Sequence, residues 1–240
     1  MTVAPTPLRP RHTLHGWRIL EVVAFAVLVV TVVALAVALR NSGSSGSGVQ
    51  GSGIPASQVR SLPPFTKVEL AGGTNVTVTA GARQRVVVHA DSNLLDHVTT
   101  RVVARRLVVG NNGSFTAKAP MSVAVTVPKL EALALTGGGI LDARNVHARA
   151  LTLTLSGGGL TRTSGAVRSL SVLLTGGGAA QLGDLVAHDA RVRLSGAGLV
   201  VVDATNSLNA TLAGAGSILY SGNPRHLTTN LTGSGAISPG

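Results

Sequence analysis

The sequence predicts an all-β fold, a single-stranded parallel β-helix of ~19–20 residues per coil, preceded by one N-terminal transmembrane helix. Three observations predict it. A four-residue glycine signature recurs six times: "TGGG" at 136, "SGGG" at 156, "TGGG" at 175, "SGAG" at 195, "AGAG" at 213 and "TGSG" at 232. Each copy follows a short stretch that alternates apolar and polar residues, as a half-buried strand does. Near the N-terminus, Val22 to Leu39 form 18 consecutive residues without a charge. Composition agrees. Hydrophobic residues make up 45% of the 240-residue chain but aromatics only 2%, so the core is built from Leu, Val, Ile and Ala, and 30 glycines are too many for a helical protein. The absence of cysteine excludes disulfides, thiolate zinc sites and cysteine nucleophiles.

The elements follow in chain order. Residues 1–21 form a basic tail with Arg9, Arg11 and Arg18. Residues 22–39 are the span, about 27 Å long as a helix and close to one hydrocarbon thickness. Only Arg40 follows closely, so the positive-inside bias places the N-terminus in the cytosol and everything after Leu39 outside. The alternative is a secreted protein cut near Ala38, where "AVA" resembles a signal-peptidase site; the apolar run exceeds the usual length for that, which favours a retained signal anchor. Residues 40–53, rich in Gly and Ser, are expected to be a flexible linker of about 20 Å.

Residues 54–240 are expected to be one extracytoplasmic β-helix head domain. Steps of 20, 19, 20, 18 and 19 residues separate the signatures. A leucine precedes every copy: Leu135, Leu155, Leu174, Leu194, Leu212 and Leu231. Two residues earlier stand Leu133, Leu153, Val172, Val192, Ala210 and Thr229, with mostly polar residues between. Parallel coils about 4.8 Å apart would turn such equivalent positions into ladders. Glycine fills the second and fourth signature positions throughout: Gly137, Gly139, Gly157, Gly159, Gly176, Gly178, Gly196, Gly198, Gly214, Gly216, Gly233 and Gly235. Those positions need a backbone angle or an approach distance that a Cβ forbids, whereas the third needs only a small residue. Upstream, "VELAGGTNVTVTAG" at 68–81 resembles a weaker copy. The 65 residues from Ala71 to Thr136 leave room for about three more coils, carried by "RVVVHA", "RLVVG" and "SVAVTVP".

Several chemistries are excluded. No signature continues into GK[ST] and a helix, so the glycines are no phosphate cradle. Asp142, Asp184 and Asp203 fall at three different offsets, so no repeated calcium ligand exists. Asp184 with His188 could act as acid and base, but a polar turn explains both residues, and no cofactor, metal or catalytic site is expected. Residues 54–240 carry 16 Lys and Arg against 8 Asp and Glu, a surplus of 8 positive charges that favours anionic partners. Nucleic acid is not among them, because Phe65, Phe115 and Tyr220 are too few for a stacking platform. One column invites a binding role: Lys129, Arg149, Arg168, His188, Asn206 and Arg225 lie seven residues before successive signatures. Stacked like charges repel unless splayed or neutralised, and an anionic envelope polymer or glycan would neutralise them. The outward slots Ala132, Thr152, Ser171, Arg191, Asn209 and Thr228 are too irregular for an ice-ordering threonine face.

The order "FTKVELAGGTNVTVTAG", "ADSNLLDHVTTRV", "LVV" and then serial "LTGGG", "LSGGG", "LSGAG" and "LTGSG" resembles the head GIN domain family of putative autotransporter adhesins over about Phe65 to Ile237. The resemblance implies a right-handed single-stranded β-helix in a bacterial envelope and carries over no catalytic or ligand residue. The expected function is a non-enzymatic, adhesin-like surface module. An envelope-polysaccharide-processing or stress-associated factor on the same scaffold is the alternative.

Overall fold

The computed structural model describes residues 48–240. The expected tail, the span at 22–39 and most of the 40–53 linker lie outside the described residues. Among the described residues no helix is long and apolar enough to cross a membrane. Gly48–Gly240 form one compact unit, and residues 48–53 pack within it. Gly51 donates its backbone N–H to Thr116 O at 2.8 Å, and Gly53 donates to Asp91 Oδ1 at 2.6 Å.

Seventeen strands follow in order among the described residues. The first nine are β1 (Val49–Gln50), β2 (Pro55–Arg60), β3 (Lys67–Ala71), β4 (Asn75–Ala80), β5 (Arg85–Asp91), β6 (Val98–Val103), β7 (Arg106–Asn111), β8 (Phe115–Thr116) and β9 (Ser122–Val127). Then come β10 (Ala132–Leu135), β11 (Ile140–Gly157), β12 (Leu160–Gly176), β13 (Ala179–Gly196), β14 (Leu199–Gly214), β15 (Ser217–Ser221), β16 (His226–Thr232) and β17 (Ala236–Pro239). A 3-10 turn, Leu95–His97, precedes β6.

From β10 onward the chain is a parallel solenoid. β11 to β14 are 16 to 18 residues long because each runs along one face, turns a corner and continues along the next. Their second halves stack in register with β10 and β16, so the leucines before the signatures form one column. Leu135 to Leu212 are at most 2% exposed. Leu231, expected to be buried with them, is 46% exposed because no described strand covers it on its outer side. The core of the coils is made of Leu, Val and Ala, joined by Ile218 on β15. Thr161 and Thr163 interrupt it: both point inward, and their hydroxyls are buried without a hydrogen-bond partner.

Glycine geometry explains the signature. A Cβ on Gly159 would sit 2.7 Å from Gly139 O and 2.7 Å from Leu135 Cδ2, inside any real contact distance. Gly157 has φ of +128°, and its Cβ would stand 3.0 Å from Gly137 O. Gly158, between them, faces open space, which is why later copies accept Ala197, Ala215 and Ser234 there.

The expectation of three further coils between the weak copy and the first signature is corrected. Val68 and Leu70 of β3 pair directly with Leu133 and Leu135, so no coil intervenes. The intervening residues go to the far side: β7 pairs with β3, and β9 pairs with β4, both in parallel. β5 then runs antiparallel to β9, β2 antiparallel to β5, and β6 antiparallel to β7. The three apolar segments form a closing cap. Alternation specifies a buried face, and a strand can bury that face beside either a parallel or an antiparallel neighbour.

Candidate functional site

The basic column lies at the corner where β11 to β14 turn onto the signature face. Ala148↔Val167 and Ala150↔Ser169 bracket Arg149 and Arg168 at the same level. Val167↔Ala187 and Ser169↔Asp189 do the same for Arg168 and His188. Neighbouring levels are about 4.8 Å apart. Between β13 and β14 the register shifts, so His188 stands against the pair Thr205 and Asn206. Arg225 immediately precedes β16, whose His226 pairs with Ser207. Lys129 lies before β10, outside its paired residues.

The charges along this corner are not equivalent. Lys129 is neutralised by Glu131, whose Oε1 lies 2.8 Å from its Nζ. That contact, with the Thr66 hydroxyl, holds the Glu131 carboxyl below its ordinary range. His188 donates through Nδ1 to Asp189 Oδ2 at 2.9 Å, and Asn206 Nδ2 donates to Asp189 Oδ1 at 2.8 Å. The Ser207 hydroxyl donates to the same oxygen at 2.6 Å. Ser207, Asn206 and His188, in that order of effect, hold the Asp189 carboxyl far below the usual carboxylate range. The centre of the column is therefore an anchored carboxylate hub rather than a free cation. Arg149, Arg168 and Arg225 are exposed and form no ion pair with another described residue.

Beside the hub, Ser169, Ser171, Asp189, Arg191, Ser207 and Asn209 line an open groove of about 390 Å³. Arg191 was legible in the sequence only as an irregular outward slot; the groove needs the corner and the face together, which no single repeat contains. Asp184 does not meet His188. It borders a second shallow groove with Arg162, Gln181 and Val201. No cluster of three metal-ligating side chains occurs among the described residues.

At the opposite end from β16, Asp91 is buried and accepts from the N–H groups of Gly53, Lys118 (2.9 Å) and Ala119 (3.1 Å). Burial raises its carboxyl, but the three backbone donors outweigh burial and leave it lowered. Its work is structural, holding three segments together.

Comparison with solved structures supports the fold. A putative adhesin from Bacteroides fragilis superposes with a TM-score of 0.69 at 19% identity, covering 80% of this chain and 100% of that one. A putative adhesin from Parabacteroides distasonis gives 0.54 at 18% identity, and a protein of the same organism described as a putative lipid binding protein gives 0.52 at 18%. Each of these two covers 81% of this chain and is itself covered in full. No curated protein matches the sequence. The family model described as "Putative auto-transporter adhesin, head GIN domain" matches residues 64–224, across the cap and the coils alike, and the chain belongs to that family.

Proposed function

We propose that residues 48–240 act as a non-enzymatic, adhesin-like binding module on the outer side of a bacterial membrane, held there by a single N-terminal span at 22–39 with the tail in the cytosol. Right-handed winding, the sense that parallel crossovers take, is part of this proposal. Family membership supports the adhesin-like, extracytoplasmic role. The partner is an anionic envelope polymer, such as a uronate- or phosphate-bearing glycan, contacted through Arg149, Arg168 and Arg225. The observation that carries this choice is that Arg149, Arg168 and Arg225 occupy register positions along one corner and are exposed, with no ion pair to another described residue. The serine- and amide-lined groove beside them offers hydrogen-bonding groups to sugar hydroxyls.

The test is binding of the purified protein to an anionic envelope polysaccharide at low and high salt. The native protein should bind in a salt-sensitive way, and replacing Arg149, Arg168 and Arg225 together by Gln should weaken binding at least tenfold. Unchanged binding by the triple variant would remove the column from the site. Cleavage of the polysaccharide would favour the processing-enzyme alternative.

A further inference from the structure

Strand β16 is the outermost strand of the signature face: it pairs with β14, and no described strand pairs with its other edge. All seven of its residues are exposed. Leu227 and Leu231 are 44% and 46% exposed, although their partners one level in, Leu208 and Leu212, are fully buried. Exposed edges normally carry Lys, Pro or an inward charge that discourages pairing with another chain. The edges at the other end do: β2 starts at Pro55 and ends at Arg60, and β6 carries Arg101. β17, on the neighbouring face, ends at Pro239. β16, "HLTTNLT", has no permanent charge, no proline and no glycine.

The strand is also complementary to itself. Turned about Thr229 and laid antiparallel, Leu227 meets Leu231 of the second strand, Thr228 meets Asn230, and Thr229 meets Thr229. The inward residues 227, 229 and 231 remain on one face and the polar 228 and 230 on the other, so the hydrophobic pattern continues across the junction without a slip of register. We propose that β16 is a dimerisation edge, and that its occupant is the β16 of a second copy in antiparallel pairing about a two-fold axis at Thr229. A two-fold axis makes the contact close on itself, so the assembly stops at two copies. Leu227 and Leu231 of both copies then reach the burial of Leu208 and Leu212.

The chain has no cysteine, which makes the test direct. Full-length protein carrying Thr229→Cys is treated in membranes with a short thiol crosslinker. The expected product is a covalent species of twice the mass that contains only this chain, since directly opposed residues lie within disulfide reach. Adding Leu231→Lys should reduce it at least tenfold. Ser171→Cys, on an outward slot in the middle of the stack, should not crosslink. Light scattering of the detergent-solubilised native chain provides an independent readout: it should report a concentration-dependent dimer that Leu231→Lys converts to monomer. A native chain that stays monomeric, a Thr229→Cys adduct to a different protein, or equal crosslinking through Ser171→Cys overturns the proposal.

Discussion

The two ends of the stack treat the same column of side chains in opposite ways. At one end, Leu70 is fully buried between Leu135 and Val109, and Val109 is in turn covered by Thr100 of antiparallel β6. At the other end, among the described strands Leu231 rests on Leu212 alone and remains half exposed. The closed end also carries a strap. Arg60, on β2, donates through Nη2 to Leu95 O at 2.8 Å, joining the last strand of one face to the turn that leads into the last strand of the other. Leu94 is fully buried beside that turn. A solenoid whose coils bury their faces only against neighbours needs such a terminus, because the outermost coil has a neighbour on one side only. The difference teaches that closure here is achieved by reversing strand direction and by long-range side-chain bonds, whereas the coils between need only repetition.

Matched substitutions at the two ends sharpen the contrast. The largest effect is expected for Gly139→Val, whose Cβ would collide with Thr74 O and approach Leu70 Cδ2 to 2.9 Å, both held in place by the cap. A loss of about 4 kcal/mol or failure to fold should appear in urea unfolding. Gly235→Val creates the same kind of clash, with Leu212 Cδ2 at 2.7 Å, but on a level free to move outward, and should cost about 1–2 kcal/mol. Equal losses would mean that the last level is as tightly held as the first. Next comes the leucine pair. Leu70→Ala should cost about 2–5 kcal/mol and Leu231→Ala under about 1 kcal/mol, read at a protein concentration low enough to keep the chain monomeric.

The smallest and most conditional effect concerns Asp91. Its carboxyl is lowered in the folded protein, so its contribution is present above the unfolded value near pH 4 and is lost as pH falls through the folded value. Asp91→Asn should therefore lower the urea midpoint at pH 7, and the deficit should shrink as pH falls below about 4. A midpoint deficit that persists undiminished at pH 2 would show that packing, not the charge, is what Asp91 supplies.

Each repeated feature was readable because every copy states the same local need. The Leu135-to-Leu212 column and the paired glycines report one inward position and one close approach, printed again every coil. Single features were not readable. Gly165, with φ of +135° and a Cβ that would lie 2.7 Å from Val146 N, is as constrained as any signature glycine, yet no sibling marks it. Lys129 and His188 belonged to a regular column of basic positions, but Glu131, which neutralises Lys129, and Asp189, which accepts a hydrogen bond from His188, occupy no repeating slot.

By itself, the sequence determined an all-β solenoid, its coil length and which side chains face inward, because alternation and repeat spacing follow from the chain's own geometry. Only the tertiary structure decided that residues 55–60 and 85–127 close one end rather than add coils, which cations form no ion pair among the described residues, and that no described strand pairs with the outer edge of β16. The physical reason is that a strand's pattern specifies its face, while its partner, its direction and its counter-ion depend on which distant segment comes to lie beside it.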